Sequence, residues 1–346
     1  MKALKQGEIL VTGGTGYIGS HTVVELQNNG YEVIILDNLS NSNIKVVDQI
    51  KSITGIAPGF VKLDLRDKTE LFHFIKSNPD LTGVIHFAAS KSVGESVKNP
   101  LLYYDNNIST LVNLLNALKD RQVNFVFSSS CTVYGEPDFL PVTEDAAVKT
   151  AESPYGNTKQ IGEEILRETA GATDNLKVVA LRYFNPVGAH SSALIGELPI
   201  GIPQNLVPFV MQTAIGKRKE LIIFGDNYDT TDGSCIRDFI HVVDLAKAHV
   251  AAIKRMEAGK MDLAYEVFNV GTGKGYSVIE LINTFENITG IKLNYQVGPP
   301  RNGDIVKIWG DVSKAEKELN WKAENGLNNM LESAWAWENY IYKNAF

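Results

Sequence analysis

Apolar residues along this chain follow two rhythms. Short runs at residues 8–12, 33–36, 59–63, 83–87, 124–127 and 177–181 are apolar at nearly every position. Between them, near 17–29, 67–77, 100–120 and 154–170, apolar residues recur every three or four positions. The first of these longer stretches carries Ile18, Val23, Val24 and Leu26 and stops at Gly30. Strands apolar throughout that alternate with amphipathic helices predict a parallel sheet buried on both faces. Right-handed crossovers make such an alternation a doubly wound sheet. After about residue 183 the rhythm loosens, and Pro186, Pro199, Pro203 and Pro208 break the chain into turns and short helices. Longer helical patterns return near 241–257, 277–288 and 326–343. The pattern predicts an N-terminal domain over 1–183 and a smaller mixed α/β domain over 184–346, with the chain crossing back to the first.

Composition narrows the class. The chain has 346 residues, is 44% hydrophobic and 21% charged, and carries a net charge of −7, which describes a globular protein and disfavours nucleic acid or anionic membrane as partner. Two cysteines, Cys131 and Cys235, are too few for a disulfide framework or a zinc cage. Six histidines show no His-Glu-x-x-His spacing, so no metal site is expected, and His86, inside a β run, reads as a core residue. Residues 1–8 hold no signal-like apolar run, and no stretch of about 18 apolar residues occurs, which predicts a cytoplasmic protein. The apolar residues of 326–343, among them Met330, Leu331, Trp335 and Trp337, predict a packing helix.

The first β run ends in Gly13-x-x-Gly16-x-x-Gly19 before a helix. Glycines suit a turn that needs unusual backbone angles and close approach to a pyrophosphate, and the helix N-terminus offers free N–H groups to it. Glycines also mark plain turns, but here Asp37 closes the second β run 18 residues after Gly19, as a dinucleotide site requires. A carboxylate there accepts ribose hydroxyls and repels a 2′-phosphate, and residues 38–42 supply no Arg or Lys, so NAD is expected over NADP. Asp64, at the end of the third β run, reads equally as an adenine contact or a strand-end cap. A second glycine cluster at 271–275 lacks this spacing and reads as a turn feeding a helix at Ser277.

Ser153-Pro154 caps and opens a helix on which Tyr155 and Lys159 stand four residues apart, on one face. A phenol with a reference pKa of about 10 becomes a base near neutrality at a cost of roughly 4 kcal/mol, within reach of an ammonium and a positive nicotinamide. Upstream, Ser128-Ser129-Ser130 ends a β run, where doubly wound sheets bind ligands. A hydroxyl there would bond the reacting oxygen; the residues alone leave the three serines nearly equal.

Together these residues resemble the extended short-chain dehydrogenase/reductase family, in its nucleotide-sugar 4-epimerase branch. The resemblance runs through residues 12–21, 37–42, 86–96, 103–107, 128–135, 182–190, 237–242 and 301–304. It implies a Rossmann-type fold, a homodimer, and Ser130, Tyr155 and Lys159 as the catalytic set. It implies NAD contacts at Gly13, Gly16, Tyr17, Ile18, Gly19, Asp37, Asn38, Leu39, Ser42, Asp64, Leu65, Phe87, Ala88, Ala89, Lys91, Asn106, Ser130, Tyr155, Lys159 and Tyr183. For a UDP-sugar it implies Lys91, Ser130, Tyr155, Phe184, Asn185, Asn205, Leu206, Phe224, Arg237, Phe239, Arg301, Asp304 and Ile308. The implied reaction interconverts UDP-galactose and UDP-glucose through a 4-keto sugar while NAD stays bound.

Two departures bear on this. Phe239 stands where the family often has tyrosine. Ile308 stands at a pocket-wall position that is often tyrosine in narrow-specificity members, and it predicts some activity on UDP-N-acetylglucosamine. The rival activities of the family are 4,6-dehydration and decarboxylation, which usually require acidic residues where Cys131 and Thr132 stand. A noncatalytic NAD-sensing regulator on the same fold would often lack the Tyr155 and Lys159 pair.

Overall fold

The computed structural model describes residues 7–300 and 305–344. A seven-stranded sheet forms its centre. Its first six strands are β1 (Glu8–Thr12), β2 (Glu32–Asp37), β3 (Gly59–Lys62), β4 (Leu81–His86), β5 (Val123–Ser128) and β6 (Leu176–Tyr183), and the strand Tyr265–Val270 is the seventh. In space the order is the seventh strand, then β6, β5, β4, β1, β2 and β3. The pairs among β1–β6 are all parallel. The order reverses between β1 and β4, which are neighbours although two strands separate them in sequence, and this topological switch point is where doubly wound sheets bind ligands.

The apolar runs form strands because both faces of the sheet are covered. Ile9, Leu10, Val11, Val84, Ile85, Phe125 and Val126 are all completely buried, each worth about 1.5–3 kcal/mol relative to exposure. The helix that starts at Pro154 runs to Gly171, is capped by the Ser153 hydroxyl accepting from the Gly156 N–H at 3.2 Å, and closes tightly on β5. Gly162 makes that possible, since a Cβ there would lie 2.8 Å from Cζ of Phe127.

Two compact units are resolved by their internal contacts. The first comprises residues 1–135, 148–182 and 246–268; the second comprises 136–147, 183–245 and 269–346. The second unit has its own core, in which Val210, Leu281, Phe285, Met330 and Leu331 pack together. Met330 and Leu331 come from the helix Leu327–Asn344, and Trp335 of the same helix meets Phe285 edge-on at 5.6 Å. Ser277 caps the helix Val278–Thr289 with a reciprocal Glu280 bond, so residues 271–275 do feed a helix there.

The stretch near 100–120 is not one helix. It divides into Pro100–Tyr103, a wider π-type segment Tyr104–Ser109 and Thr110–Leu118, preceded by a short helix Val93–Lys98 that the periodicity did not reveal. Wide turns of this kind are frequent at functional sites. Among the described residues no helix is long and apolar enough to cross a membrane, and no group of His, Cys, Asp or Glu is arranged to hold a metal.

Candidate active site

The glycine turn sits at the switch point. Gly13 has a φ of 73°, in the left-handed region, and a Cβ there would lie 2.8 Å from the Ala88 nitrogen just beyond β4. A Cβ on Gly19 would meet the Gly13 carbonyl and lie 2.9 Å from Cα of Gly14. Gly16 caps the helix α1 (Tyr17–Asn28) with no side-chain hydrogen bond to its first N–H groups. Bare backbone therefore faces the crevice where the resemblance puts a pyrophosphate, and the cradle fits one.

Asp37 ends β2 and is held by three donors: Thr15 N at 3.2 Å, Leu39 N at 2.9 Å and Ser42 Oγ at 3.2 Å. A carboxylate has about four acceptor positions, so a ribose would find one open and take others by displacement. Leu39 adopts a left-handed φ of 60°, a conformation leucine rarely takes outside ligand sites. Asn38 donates to Asp64 Oδ2 at 3.0 Å, and Arg66 holds the same carboxylate through Nε and Nη2 at 3.0 and 2.7 Å. That guanidinium keeps Asp64 well below the usual carboxylate range. The residue thus joins the ends of β2 and β3. Leu65 next to it is buried, and its carbonyl accepts from Asn113.

Phe87, Ala88 and Ala89 line the exit of β4 half-buried, and Lys91 stands exposed with Nζ 6.0 Å from the Tyr17 ring centre. Ile18 is half-buried at the start of α1, as is Tyr183 at the end of β6. Asn106 donates to Ser90 Oγ at 3.1 Å. Its neighbour Asn107, which sequence reasoning did not single out, is buried and bonds the Ser90 backbone on one side and Thr158 Oγ1 on the other. The loop after β4 is thereby tied to the residue before Lys159.

The three serines separate clearly. The Ser128 carbonyl accepts from Lys159 Nζ at 2.8 Å, and the Ser129 hydroxyl donates to Glu163 at 2.5 Å. Ser130 Oγ accepts from Thr132 N at 3.2 Å as the cap of a short turn, Cys131–Tyr134, leaving its own proton to donate. Thr132 Oγ1 is buried without a hydrogen-bond partner in the protein. Lys159 lies with Nζ 5.9 Å from the Tyr155 ring centre and 5.0 Å from that of Phe127. Burial pushes its ammonium down to about 8, with the Glu163 carboxylate opposing the drop. His86 is a core residue as expected, bonded to Thr12 Oγ1 at 2.8 Å and stacked on Phe127. Burial and then the Lys159 charge push it down to about 3, so it is neutral.

Of the residues expected to hold a UDP-sugar, Lys91, Ser130 and Tyr155 lie in the first unit, and the other described ones lie in the second. Phe184 is buried beside Gly271 and Gly310. Asn185 is exposed, and Phe224 stands more than a third exposed. Asn205 precedes the helix Leu206–Ala214 and donates to Glu197 at 2.7 Å, while Leu206 is half-buried. Arg237 is half-buried, with Nη1 on the Ile236 carbonyl at 2.9 Å. Phe239 belongs to the apolar core of this unit, and Ile308 is 2% exposed. Asp238, between Arg237 and Phe239, is fully buried and takes Thr272 N at 2.8 Å, Thr272 Oγ1 at 2.7 Å and Gly273 N at 3.1 Å. The second glycine cluster is thus also a nest for an internal carboxylate. Arg301 and Asp304 lie outside the described residues.

Comparison with known proteins identifies the family and the fold. Residues 9–271 match the profile of the NAD dependent epimerase/dehydratase family. The chain is 49% identical over 331 residues to a UDP-glucose 4-epimerase of Haemophilus influenzae, covering 95% of this chain and 97% of that one. A UDP-glucose 4-epimerase structure from Stenotrophomonas maltophila, with bound NAD and formylated UDP-arabinopyranose, superposes with a TM-score of 0.94 at 46% identity, over 98% of this chain and 100% of that chain. Another from Bifidobacterium longum, in complex with NAD+ and UDP, gives 0.92 at 45% identity over the same shares.

Proposed function

The chain belongs to the NAD dependent epimerase/dehydratase family, and from that membership we propose that it interconverts UDP-galactose and UDP-glucose through a 4-keto sugar. The observation that carries this reading is that Lys159 stands beside the Tyr155 ring and donates to the Ser128 carbonyl, two residues before Ser130 at the end of β5, in the unit whose switch point bears the glycine turn. NAD is its cofactor, and when bound it takes up and returns the hydrogen of the sugar C4.

The protein supplies the rest. Tyr155, as phenolate, takes the proton of the 4-hydroxyl and later gives it back. Ser130 donates its free proton to the same oxygen. Lys159 brings positive charge beside the phenol, and Phe127, His86 and the Ser128 carbonyl fix where that charge lies. Gly13, Gly16, Gly19, Asp37 and the ends of β2 to β4 hold the dinucleotide. Arg237 of the second unit and, by the resemblance, Arg301 hold the diphosphate, a match of guanidinium to phosphate oxygens. A sugar held through its diphosphate keeps freedom to present either face.

We extend the proposal to UDP-N-acetylglucosamine and its galacto epimer, because Ile308 walls the pocket where a larger tyrosine is common. A homodimer is supported by the resemblance and by Val93, Val97, Leu101 and Leu102, which stand exposed on consecutive short helices. Two buried cysteine thiols, Cys131 and Cys235, fit a reducing cytoplasm.

The test is purified protein with UDP-galactose and no added NAD. UDP-glucose should form, with an isotope at C4 retained. Absence of product from protein that carries NAD, or loss of the isotope to solvent, refutes the reading.

A further inference from the structure

The helix face that carries Tyr155 and Lys159 continues to Glu163, four residues further on. Glu163 is buried and reaches two other elements. Its Oε1 accepts from the Ser129 hydroxyl at 2.5 Å, one residue before Ser130. From β6, Arg182 grips the carboxylate through Nε at 2.9 Å to Oε1 and Nη2 at 2.6 Å to Oε2, both side chains 7% exposed. Lys159 and Glu163 therefore clamp the two residues that lead into Ser130, Lys159 by the Ser128 carbonyl and Glu163 by the Ser129 hydroxyl.

Lys159 and Arg182 are both buried cations; Glu163 is paired with Arg182 and stands one helical turn from Lys159 on the same helix face. Apart from Tyr155 in its phenolate form, the groups named here around Lys159 and Glu163 carry no negative charge at neutral pH. From β4 comes His86, held neutral; from β5 the Phe127 ring and the Ser128 carbonyl. Tyr134, on the turn after β5, lies 4.9 Å from the Arg182 guanidinium, and Tyr265 of the seventh strand is pushed far up by burial and then by Glu163. On the same helix Tyr155, the phenol the ammonium serves, precedes Lys159 by one turn, and Arg167, whose positive charge also acts on Tyr265, follows Glu163 by one turn.

We propose that Glu163 is a positioning residue, setting the place of Ser130 through Ser129 and serving as the counter-charge that keeps Lys159 an ammonium. The proposal rests on the epimerase reading for the roles of Ser130 and Lys159. Without that carboxylate the buried ammonium loses its nearest compensation and gives up its proton at lower pH. Without the Ser129 bond, the loop bearing Ser130 shifts relative to Tyr155.

The experiment compares wild type, Glu163→Gln, Glu163→Asp and Ser129→Ala. The alkaline limb of the kcat profile for UDP-galactose is measured, and the Lys159 ammonium is titrated by nuclear magnetic resonance of labelled lysine, with Lys159→Met assigning the signal. In Glu163→Gln both transitions should move down by about one pH unit, a tenfold change in the proton affinity of Lys159. Glu163→Asp, which keeps the charge, should restore the limb. Ser129→Ala should leave the limb in place and lower plateau kcat about tenfold with KM within about twofold. An unmoved lysine titration in Glu163→Gln overturns the counter-charge role. If Glu163→Gln does not fold, Ser129→Ala decides, and an unchanged plateau kcat overturns the positioning role. Because the lysine titration needs no turnover, an inactive wild type would refute the epimerase reading while leaving the charge relationship separately measured.

Discussion

Lys159 Nζ donates to the carbonyl oxygen of Ser128 at 2.8 Å, and this bond links the helix that bears the phenol to the strand end that leads into Ser130. The same ammonium is buried at a desolvation cost. Lys159→Met removes the charge and keeps the apolar stem, so it relieves that cost while removing the support for the phenolate. We expect kcat to fall about 10²-fold or more, within the range for groups that serve proton transfer, with a melting temperature equal to or above wild type. Turnover of UDP-galactose and thermal unfolding check this together. A variant that loses stability in step with activity would show the lysine to be structural.

Tyr155→Phe removes one oxygen from a buried ring and leaves the helix intact. Turnover should fall by about 10³-fold or more while bound NAD remains at wild-type stoichiometry, measured by absorbance after denaturation. Residual activity within about tenfold of wild type would mean that another group takes the proton.

The glycine turn makes a prediction independent of turnover. Gly13 has both a positive φ and an Ala88 nitrogen where its Cβ would go. Gly13→Ala must move the turn away from the end of β4, and the backbone N–H groups move with it. The variant should purify with less than half of its NAD and bind added NAD at least about tenfold more weakly by calorimetry.

Much of this was legible in the chain. The strands β1 to β6 and the helices at 17, 154, 242 and 278 follow from apolar rhythm, because each is long or cleanly bounded and its pattern is local. The Gly13, Gly16 and Gly19 turn and the Tyr155 and Lys159 pair were legible for the same reason. What was hidden depends on partners distant in sequence. The seventh strand, Tyr265–Val270, joins β6 across more than eighty residues, a pairing no periodicity encodes. The three serines look alike until Ser129 is seen to spend its hydroxyl on Glu163. Glu163 itself stood at a readable spacing from Lys159; its tie to Arg182 did not. The break in the helical stretch near 100–120 escaped because the wide segment Tyr104–Ser109 is composed of residues an ordinary helix tolerates.

Asp238 offers a pH signature. Burial raises its carboxyl to about 6 against bonds from Thr272, Gly310 and Gly273 that pull it down. Its folded value thus lies above the unfolded value of about 3.9. Between those two the native state binds more protons than the unfolded state, so this group's contribution to stability falls as pH rises from about 4 to 6, by about 3 kcal/mol. Asp238→Asn removes the titration. Relative to the variant, wild type should lose stability across that window in denaturant unfolding, and a parallel pair of curves would contradict the assignment.

Ile308 provides the most specific test of substrate range. It pairs through the short strand Lys307–Ile308 with Ile236–Arg237, its carbonyl accepts from Asp238 N at 3.1 Å, and its side chain is buried. A β-branched side chain is stiff, so the wall it makes has a fixed position. Tyrosine adds a ring where isoleucine ends, and overpacking of this kind costs about 1–3 kcal/mol if the ring turns into the core. If the ring turns instead toward the sugar, it takes the room an N-acetyl group would need. Ile308→Tyr should then lower kcat/KM for UDP-N-acetylgalactosamine at least about tenfold relative to UDP-galactose, a difference of about 1.4 kcal/mol between the two substrates. Measuring both sugars with the same preparation separates specificity from stability, because a misfolded fraction lowers both rates equally. Equal losses for the two substrates would remove Ile308 from the sugar pocket and leave it as a packing residue.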